Sequence, residues 1–239
     1  MDIDLLDVHI YPDLKTKSSI IGKEVNKLLN IRRIPLGPIQ TNCYIVSNKE
    51  KECLIIDPGE QGHDLIKQIK NANLKPIAIL LTHAHFDHIG AVDDVRKEFA
   101  VDMYMHKKES AWLSDPQLNG SGKYAQLPDY VVAPAEHFLA PGEAQVIGNF
   151  TFDVLHTPGH SPGSISFLFD NKQIAIVGDT LFKRSIGRTD LAGGNSQLLL
   201  ESIHKQLLSL DEETMVYPGH DEPTTIGAEI DGNPFLNGF

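Results

Sequence analysis

Residues 81–90 read LTHAHFDHIG and set His83, His85, Asp87 and His88 within six positions. Only 11 of the 239 residues are histidine, so three in so short a span call for an explanation. Imidazole and carboxylate are good zinc ligands, at roughly 2.0–2.2 Å. His83 and His85 are two residues apart, so on extended backbone they point to one side. Asp87 and His88 fall where a helix should begin, and the turn can swing them toward the same space. A lone histidine here would read as an ordinary hydrogen-bonded residue. Four ligand-type residues together point to a metal.

Four neighbours seldom complete two tetrahedral shells, and a catalytic site also keeps an open position for water. Three further candidates each lie just past an apolar run. They are His160 in FTFDVLHTPGHSPGS, Asp179 in IAIVGDTLF and His220 in TMVYPGHDEP. Each alone reads as turn chemistry. Together they repeat one layout of strand, tight turn and ligand, with Gly178 allowing close approach beside Asp179. His156 reads as a supporting or structural residue. His9, His63, His106, His137 and His204 read as incidental.

The elements that must position these residues follow from hydrophobic pattern. IRRIPL, CYIVS and CLIID are short strand-like runs, and GHDLIKQIKN reads as a helix with Leu65, Ile66 and Ile69 on one face. PIAILLT, a continuous apolar run, suits a strand buried on both sides. A helix is expected from about His88 to Phe99, then strand DMYMH and a short helix near Lys107 to Leu113. Residues 115–135 read as a long loop holding Tyr124 and Tyr130. Strands resume with HFLA, AQVIG, FTFDVLH, SISFLFD and QIAIVG. A helix near Ser196 to Leu210, strand TMVYP and a tail complete the chain. CLIIDPG and IAIVGDT echo each other faintly, each an apolar strand ending in Asp. Many strands fall in hairpin-like pairs, which favours sheets covered by helices over simple βαβ alternation. Residues 1–30 read as an extension with a short amphipathic helix near 20–29, and 31–239 as the catalytic domain.

The order H-x-H-x-D-H, TPGHSPGS, GDTLF and YPGH, from about Ile31 to His220, resembles the metallo-β-lactamase superfamily. TNCYIV (41–46), LIIDPG (54–59), SIGRTDLAGG (185–194) and EPTTIGAEIDGNPFL are most similar to the glyoxalase II group, and within it to short bacterial members. The resemblance implies an α/β fold of the α+β type: an αββα sandwich of two mixed sheets with helices on the outer faces. It implies that His83, His85 and His160 hold one divalent ion, that Asp87, His88 and His220 hold a second, and that Asp179 bridges them. Zinc is the expected metal, with iron or manganese as alternatives. The implied activity is a binuclear hydrolase of thioesters such as hydroxyacyl-thiols, taking a small-molecule substrate. Longer glyoxalase II enzymes grip glutathione with basic residues of a C-terminal helical domain. Here the 19 residues after His220 contain no Lys or Arg, which leaves the thiol carrier open.

Two metal ions roughly 3.5–4 Å apart share a water and lower its pKa to about 7. Asp87 would orient the resulting hydroxide as well as ligate. A leaving thiolate is a soft ligand that suits zinc. Relatives place a basic residue facing substrate where Arg188 stands. It could bind a substrate carboxylate, or pair with Asp190. Lys183, Arg184 and Tyr124 are further candidates for the rim.

A mononuclear iron persulfide dioxygenase is the competing reading. It would use His83, His160 and Asp179 as two histidines and one carboxylate. A lactonase or phosphodiesterase is a further alternative. A flavo-diiron oxidoreductase would usually carry a carboxylate at the place of His85. A purely structural zinc site would be closed and Cys-rich, yet Cys43 and Cys53 lie away from the cluster and read as reduced thiols. A net charge of -11 disfavours a nucleic-acid partner. No apolar run approaches the ~20 residues that span a bilayer, and the acidic start MDIDLLDVHI does not suit a signal peptide. A cytoplasmic location is therefore expected, with no membrane partner. Composition does not speak to the oligomeric state.

Overall fold

Alternate residues along one strand meet two different cores, and this decides the architecture. In strand β3 (Glu52–Ile56), Leu54 and Ile56 pack into one buried cluster while Cys53 and Ile55 pack into another. The computed structural model describes residues 29–142, 144–169 and 173–236. The amphipathic helix expected near residues 20–29 lies outside these residues up to position 28.

The first sheet also contains β1 (Asn30–Leu36), β2 (Thr41–Ser47), β4 (Lys75–Leu80), β5 (Met103–His106) and β6 (His137–Leu139), in sequential order. Its first two pairings are antiparallel and its last three parallel. The second sheet is built from β7 (Gln145–Ile147), β8 (Phe150–His156), β9 (Ile165–Phe169), β10 (Ile174–Gly178), β13 (Met215–Pro218) and β14 (Thr224–Thr225). Its order is β14-β13-β10-β9-β8-β7. Only β10 and β13 pair in parallel there. A small hairpin, β11 (Leu181–Phe182) with β12 (Ser185–Ile186), follows β10.

Tyr44, Leu54, Ile56, Ala78 and Leu80 of the first sheet face Phe152, Val154, Ile165, Phe167 and Ile176 of the second. The outer side of the first sheet, including Cys43, Ile45 and Ile79, is covered by Leu65 and Ile69 of α1 (Gly62–Asn71) and Val92 and Val95 of α3 (Val92–Phe99). The outer side of the second carries Leu168, Ala175, Val177 and Val216. It is covered by α5 (Ser196–Ser202), the π turn Ile203–Leu207, and α6 (Ile226–Gly232). Leu199, Ile203 and Leu207 recur every fourth residue on that covering face. The molecule is thus an αββα sandwich of two mixed sheets, and PIAILLT is buried on both sides as its pattern required. Both cysteines are buried and free. Among the described residues no helix is long and apolar enough to cross a membrane.

Two local expectations need correction. The helix expected from His88 to Phe99 is two pieces, α2 (Phe86–Ile89) and α3. Between them the Ala91 N–H donates to the Pro58 carbonyl rather than back along a helix. The expected loop 115–135 contains α4 (Pro116–Asn119), capped by the Asp115 side chain, and a 3-10 turn, Ser121–Lys123. Buried Asn119 organises it, donating to the Trp112 and Tyr130 carbonyls and accepting from Ser121. The tail after His220 forms β14 and α6.

Phe167 is fully buried between the sheets, edge-on to Phe152 at 5.7 Å. Phe167→Ala should cost about 3–5 kcal/mol of folding free energy, read from the urea midpoint. A loss below about 1 kcal/mol would show that the inter-sheet core is not the main source of stability.

Candidate metal centre

All seven candidate ligands stand just past strand ends, in turns or in the short helix α2, along one rim of the sandwich. His83 and His85 follow β4. Asp87 and His88 lie in α2. His160 lies in the β8–β9 turn, Asp179 after β10 and His220 after β13. Both sheets contribute, so the site exists only where their edges meet. Glycine makes the approach possible at two points. Gly178 has φ of 53°, and a Cβ there would lie 2.4 Å from Thr82 Oγ1. A Cβ on Gly219 would lie 2.1 Å from Asp179 Oδ1 and 2.9 Å from His88 Cε1.

Three ring nitrogens converge in the first group. His160 Nε2 is 2.9 Å from His85 Nδ1 and 3.2 Å from His83 Nε2. The partners on the far side of two rings fix what faces inward. The Thr82 hydroxyl gives its proton to Asp57 Oδ2 at 2.6 Å, so at 3.1 Å it accepts from His83 Nδ1–H. His160 Nδ1–H donates to the Arg188 carbonyl at 2.8 Å. Both Nε2 atoms then present lone pairs to one another, which a shared cation resolves.

The second group is Asp87, His88 and His220. His88 Nδ1–H donates to Asp57 Oδ2 at 2.9 Å and His220 Nδ1–H to the Ile39 carbonyl at 3.3 Å. Their Nε2 atoms lie 3.4 and 3.3 Å from Asp87 Oδ2. Asp179 faces both groups: Oδ1 is 3.4 Å from His88 Nε2, while Oδ2 is 3.5 Å from His160 Nε2 and 3.6 Å from His220 Nε2. His88 Nε2 and Asp179 Oδ1 are buried without a hydrogen-bond partner. Orphaned polar atoms are costly, and a cation between them would satisfy both. The donor set therefore fits divalent metal.

Electrostatics separates the two groups. Burial, with the His88 and His160 rings, pushes His83 well below the usual histidine range. Burial and His160 push His85 down to about 3. These imidazoles are neutral at pH 7, the ligand form. For Asp87 burial works upward, but His88 and His220 outweigh it and hold the carboxyl down to about 2. Asp179 is held well below the carboxylate range despite burial, by His88 and His220. Burial opposes charge on His88, yet Asp87, Asp179 and Asp57 raise its pKa well above the usual value. Positive charge is favoured between these carboxylates. The His220 side chain is 24% exposed while His88 is fully buried, so the cluster opens to solvent on the His220 side.

The rim residues lie differently. Arg188 makes a two-point ion pair with Asp190, both bonds 2.7 Å, and its guanidinium also contacts Tyr124. Tyr124 packs 6.0 Å from Phe86, beside Asp87. Lys183 pairs with Glu222 at 3.0 Å. Arg184 has φ of 61° and its backbone N–H donates to Glu229. The Tyr130 hydroxyl donates to Glu60 at 2.7 Å. His156 stacks on His106 at 4.7 Å and donates to the Pro162 carbonyl, in the turn that carries His160. None of His63, His106, His137, His156 or His204 joins a metal-competent group among the described residues.

The sequence motifs left several residues unassigned. Thr41 Oγ1 donates to Asp87 Oδ2 at 2.7 Å. The Asn42 amide and Tyr44 hydroxyl both donate to the Pro218 carbonyl, tying the His220 turn to the first sheet. Asp57 is grouped with His83 and His88, but it accepts from Thr82 twice and from His88. Its oxygens are committed to protein donors, so it orients rather than ligates. The echo between CLIIDPG and IAIVGDT was the available signal: the two aspartates address opposite nitrogens of His88.

Residues 36–220 match the family described as the metallo-beta-lactamase superfamily. A probable metallo-hydrolase of Bacillus subtilis is 49% identical over 208 residues, covering 87% of this chain and 98% of the relative. A hydroxyacylglutathione hydrolase of Haemophilus influenzae is 37% identical over 210 residues, covering 87% and 99%. Among solved structures, the BLEG-1 B3 metallo-beta-lactamase is 53% identical with a TM-score of 0.84, covering 87% of this chain and 100% of that one. TTHA1623 in a di-iron-bound form is 39% identical with a TM-score of 0.75, covering 86% and 100%.

Gly219→Ala should drive a methyl group into Asp179 and His88 and lower metal affinity by roughly 10–100-fold. Gly232→Ala, where a Cβ meets nothing within 4 Å, should leave it unchanged. Metal content after equilibrium dialysis reads both. Wild-type affinity in Gly219→Ala would remove Asp179 from the ligand set.

Proposed function

The chain belongs to the metallo-β-lactamase superfamily, and from that premise we propose that it is a binuclear metallo-hydrolase acting on thioesters. His83, His85 and His160 would hold one ion, Asp87, His88 and His220 the other, with Asp179 between. The two-sided placement of Asp179, one oxygen toward His88 and the other toward His160 and His220, carries this reading. A one-ion site has no use for a second group of three ligands. Zinc suits the imidazole and carboxylate donors. Iron and manganese remain alternatives, and the TTHA1623 relative is described in a di-iron-bound form.

Bound divalent ions would supply a water activated near neutral pH and polarise the scissile carbonyl. The protein's own groups do the rest. Asp87, anchored by Thr41, accepts a hydrogen bond from the attacking water and aims its oxygen at the acyl carbon. The C–S bond breaks, the acid forms, and the thiolate takes up the water's remaining proton. The open side beside His220 is where the thiol leaves. A thioester substrate is supported by the hydroxyacylglutathione hydrolase among the relatives and by the TNCYIV segment. The rim of Arg188, Tyr124 and Lys183 is where the thiol carrier would rest.

One further reading has an observation in its favour. His83, His160 and Asp179 also converge, which would suit a single iron in a persulfide dioxygenase. Metal analysis separates the two. Close to two ions per chain should fall to one in His88→Ala and in His220→Ala. S-lactoylglutathione should be hydrolysed, with activity abolished by chelation and restored by zinc. No oxygen should be consumed with glutathione persulfide. One iron per chain, indifferent to both substitutions and accompanied by oxygen uptake, overturns the hydrolase. A β-lactam belongs in the same screen because of the BLEG-1 relative. Turnover of that substrate in preference to any thioester would move the proposal to cyclic amides.

Arg188 generates a separate expectation. A substrate carboxylate can reach its guanidinium by exchange with exposed Asp190. Arg188→Ala should then raise KM for carboxylated thioesters several-fold and leave small neutral thioesters little changed. Equal losses on both, with a lowered Tm, would reduce Arg188 to its ion pair.

A further inference from the structure

We propose that Glu109 is the positioning residue for the first ligand group, joining with one carboxylate the two loops that carry His83, His85 and His160. The inference rests on those histidines being metal ligands. Glu109 is fully buried in the 3-10 helix Lys107–Ser114. Its Oε2 accepts the Ala84 N–H at 2.7 Å, and Ala84 lies between His83 and His85. Its Oε1 accepts the Gly163 N–H at 2.6 Å, in the turn begun by His160. The two loops leave different sheets, and one backbone bond, from the Ile165 N–H to the Thr82 carbonyl at 2.9 Å, joins their bases. The planar carboxylate joins the ligand-bearing segments themselves, with one oxygen for each loop.

The same short helix touches these loops twice more. Trp112 packs 5.5 Å from the His85 ring. His106, at its start, stacks on His156, whose Nε2–H donates to the Pro162 carbonyl at 3.1 Å. All three contacts land beside His85 or His160. The second ligand group is braced elsewhere, by Thr41, Asp57 and the Ile39 carbonyl. Gly163 lets the clamp close: a Cβ there would lie 2.9 Å from Glu109 Cγ. A carboxylate accepts two N–H groups at once, whereas a glutamine of the same shape turns an NH2 toward one of them. Glu109→Gln therefore keeps the volume and breaks one strut.

The test is metal titration of the full chain, read by equilibrium dialysis and by amide exchange at Ala84 and Gly163. In Glu109→Gln one of two ions should bind roughly 10–100-fold more weakly, with faster exchange at one of the two amides. Combining it with His88→Ala, which leaves only the first group, should abolish tight binding. Combining it with His85→Ala should leave the remaining ion's affinity as in His85→Ala alone. Should Glu109→Gln fail to fold, Gly163→Ala displaces the same carboxylate and should give the same selective loss. Unchanged affinity for both ions, or equal weakening of both with a general loss of stability, overturns the role of Glu109. A wild-type chain that binds no ion defeats the metal reading instead, and the two failures are distinct.

Discussion

Two imidazole lone pairs held 3.2 Å apart, on His83 and His160, repel each other. Three carboxylates, those of Asp57, Asp87 and Asp179, crowd one buried ring at His88. Both arrangements need a surrounding structure that holds them in place, and a shared cation would relieve them. Nearly every unusual feature of the rim answers that constraint. Glycine replaces any side chain at Gly219 and Gly178, where a Cβ would strike Asp179 or Thr82. The Asp57 backbone takes a left-handed φ of 52° while its carboxylate binds both Thr82 and His88. The local strain is of the kind functional sites store, and the core between the sheets is what sustains it.

The candidate ligands span residues 83 to 220 and come from both sheets, so assembling the site and assembling the sandwich are one event. Asn42 and Tyr44 show how this is done. Both donate from the first sheet to the Pro218 carbonyl of the second, and the Asn42 backbone N–H donates to the Gly219 carbonyl at 2.7 Å. Those bonds set the height of His220 above Asp87. A rigid frame with ligands at strand ends gives the precision that chemistry needs, while loops above the rim stay free to differ.

Much of this was legible in sequence, for a physical reason. Period-2 alternation and apolar runs report burial directly, so GHDLIKQIKN and PIAILLT read correctly as helix and doubly buried strand. The clustering of His83 and His85 is also local, because they sit two apart on extended chain. What depended on partners distant in sequence was not legible. The helix across His88–Phe99 breaks because Ala91 finds the Pro58 carbonyl, a bond no local pattern encodes. Residues 115–135 looked structureless because their organiser is a single buried side chain, Asn119, and not a hydrophobic period. The carbonyls of Arg188 and Ile39, which fix the tautomers of His160 and His220, carry no residue-type signal at all.

Chemistry and specificity are set by different parts of the molecule. Two cationic rim residues are matched by an anion, Arg188 by Asp190 and Lys183 by Glu222. The rim therefore projects little net positive field toward an anionic substrate, and the chain's overall charge of -11 opposes one at long range. Under the proposed function recognition would then be short-ranged. It would fall to the aromatic surface of Phe86 and Tyr124 on one side and of Phe182, 6.2 Å from His220, on the other. Exposed ion pairs are weak and exchangeable, so Asp190 can yield Arg188 to a carboxylate already seated on that surface. On the proposed reading, a substrate would be selected by fit at the mouth before its charge is felt, and the buried histidines and aspartates below would act on its carbonyl.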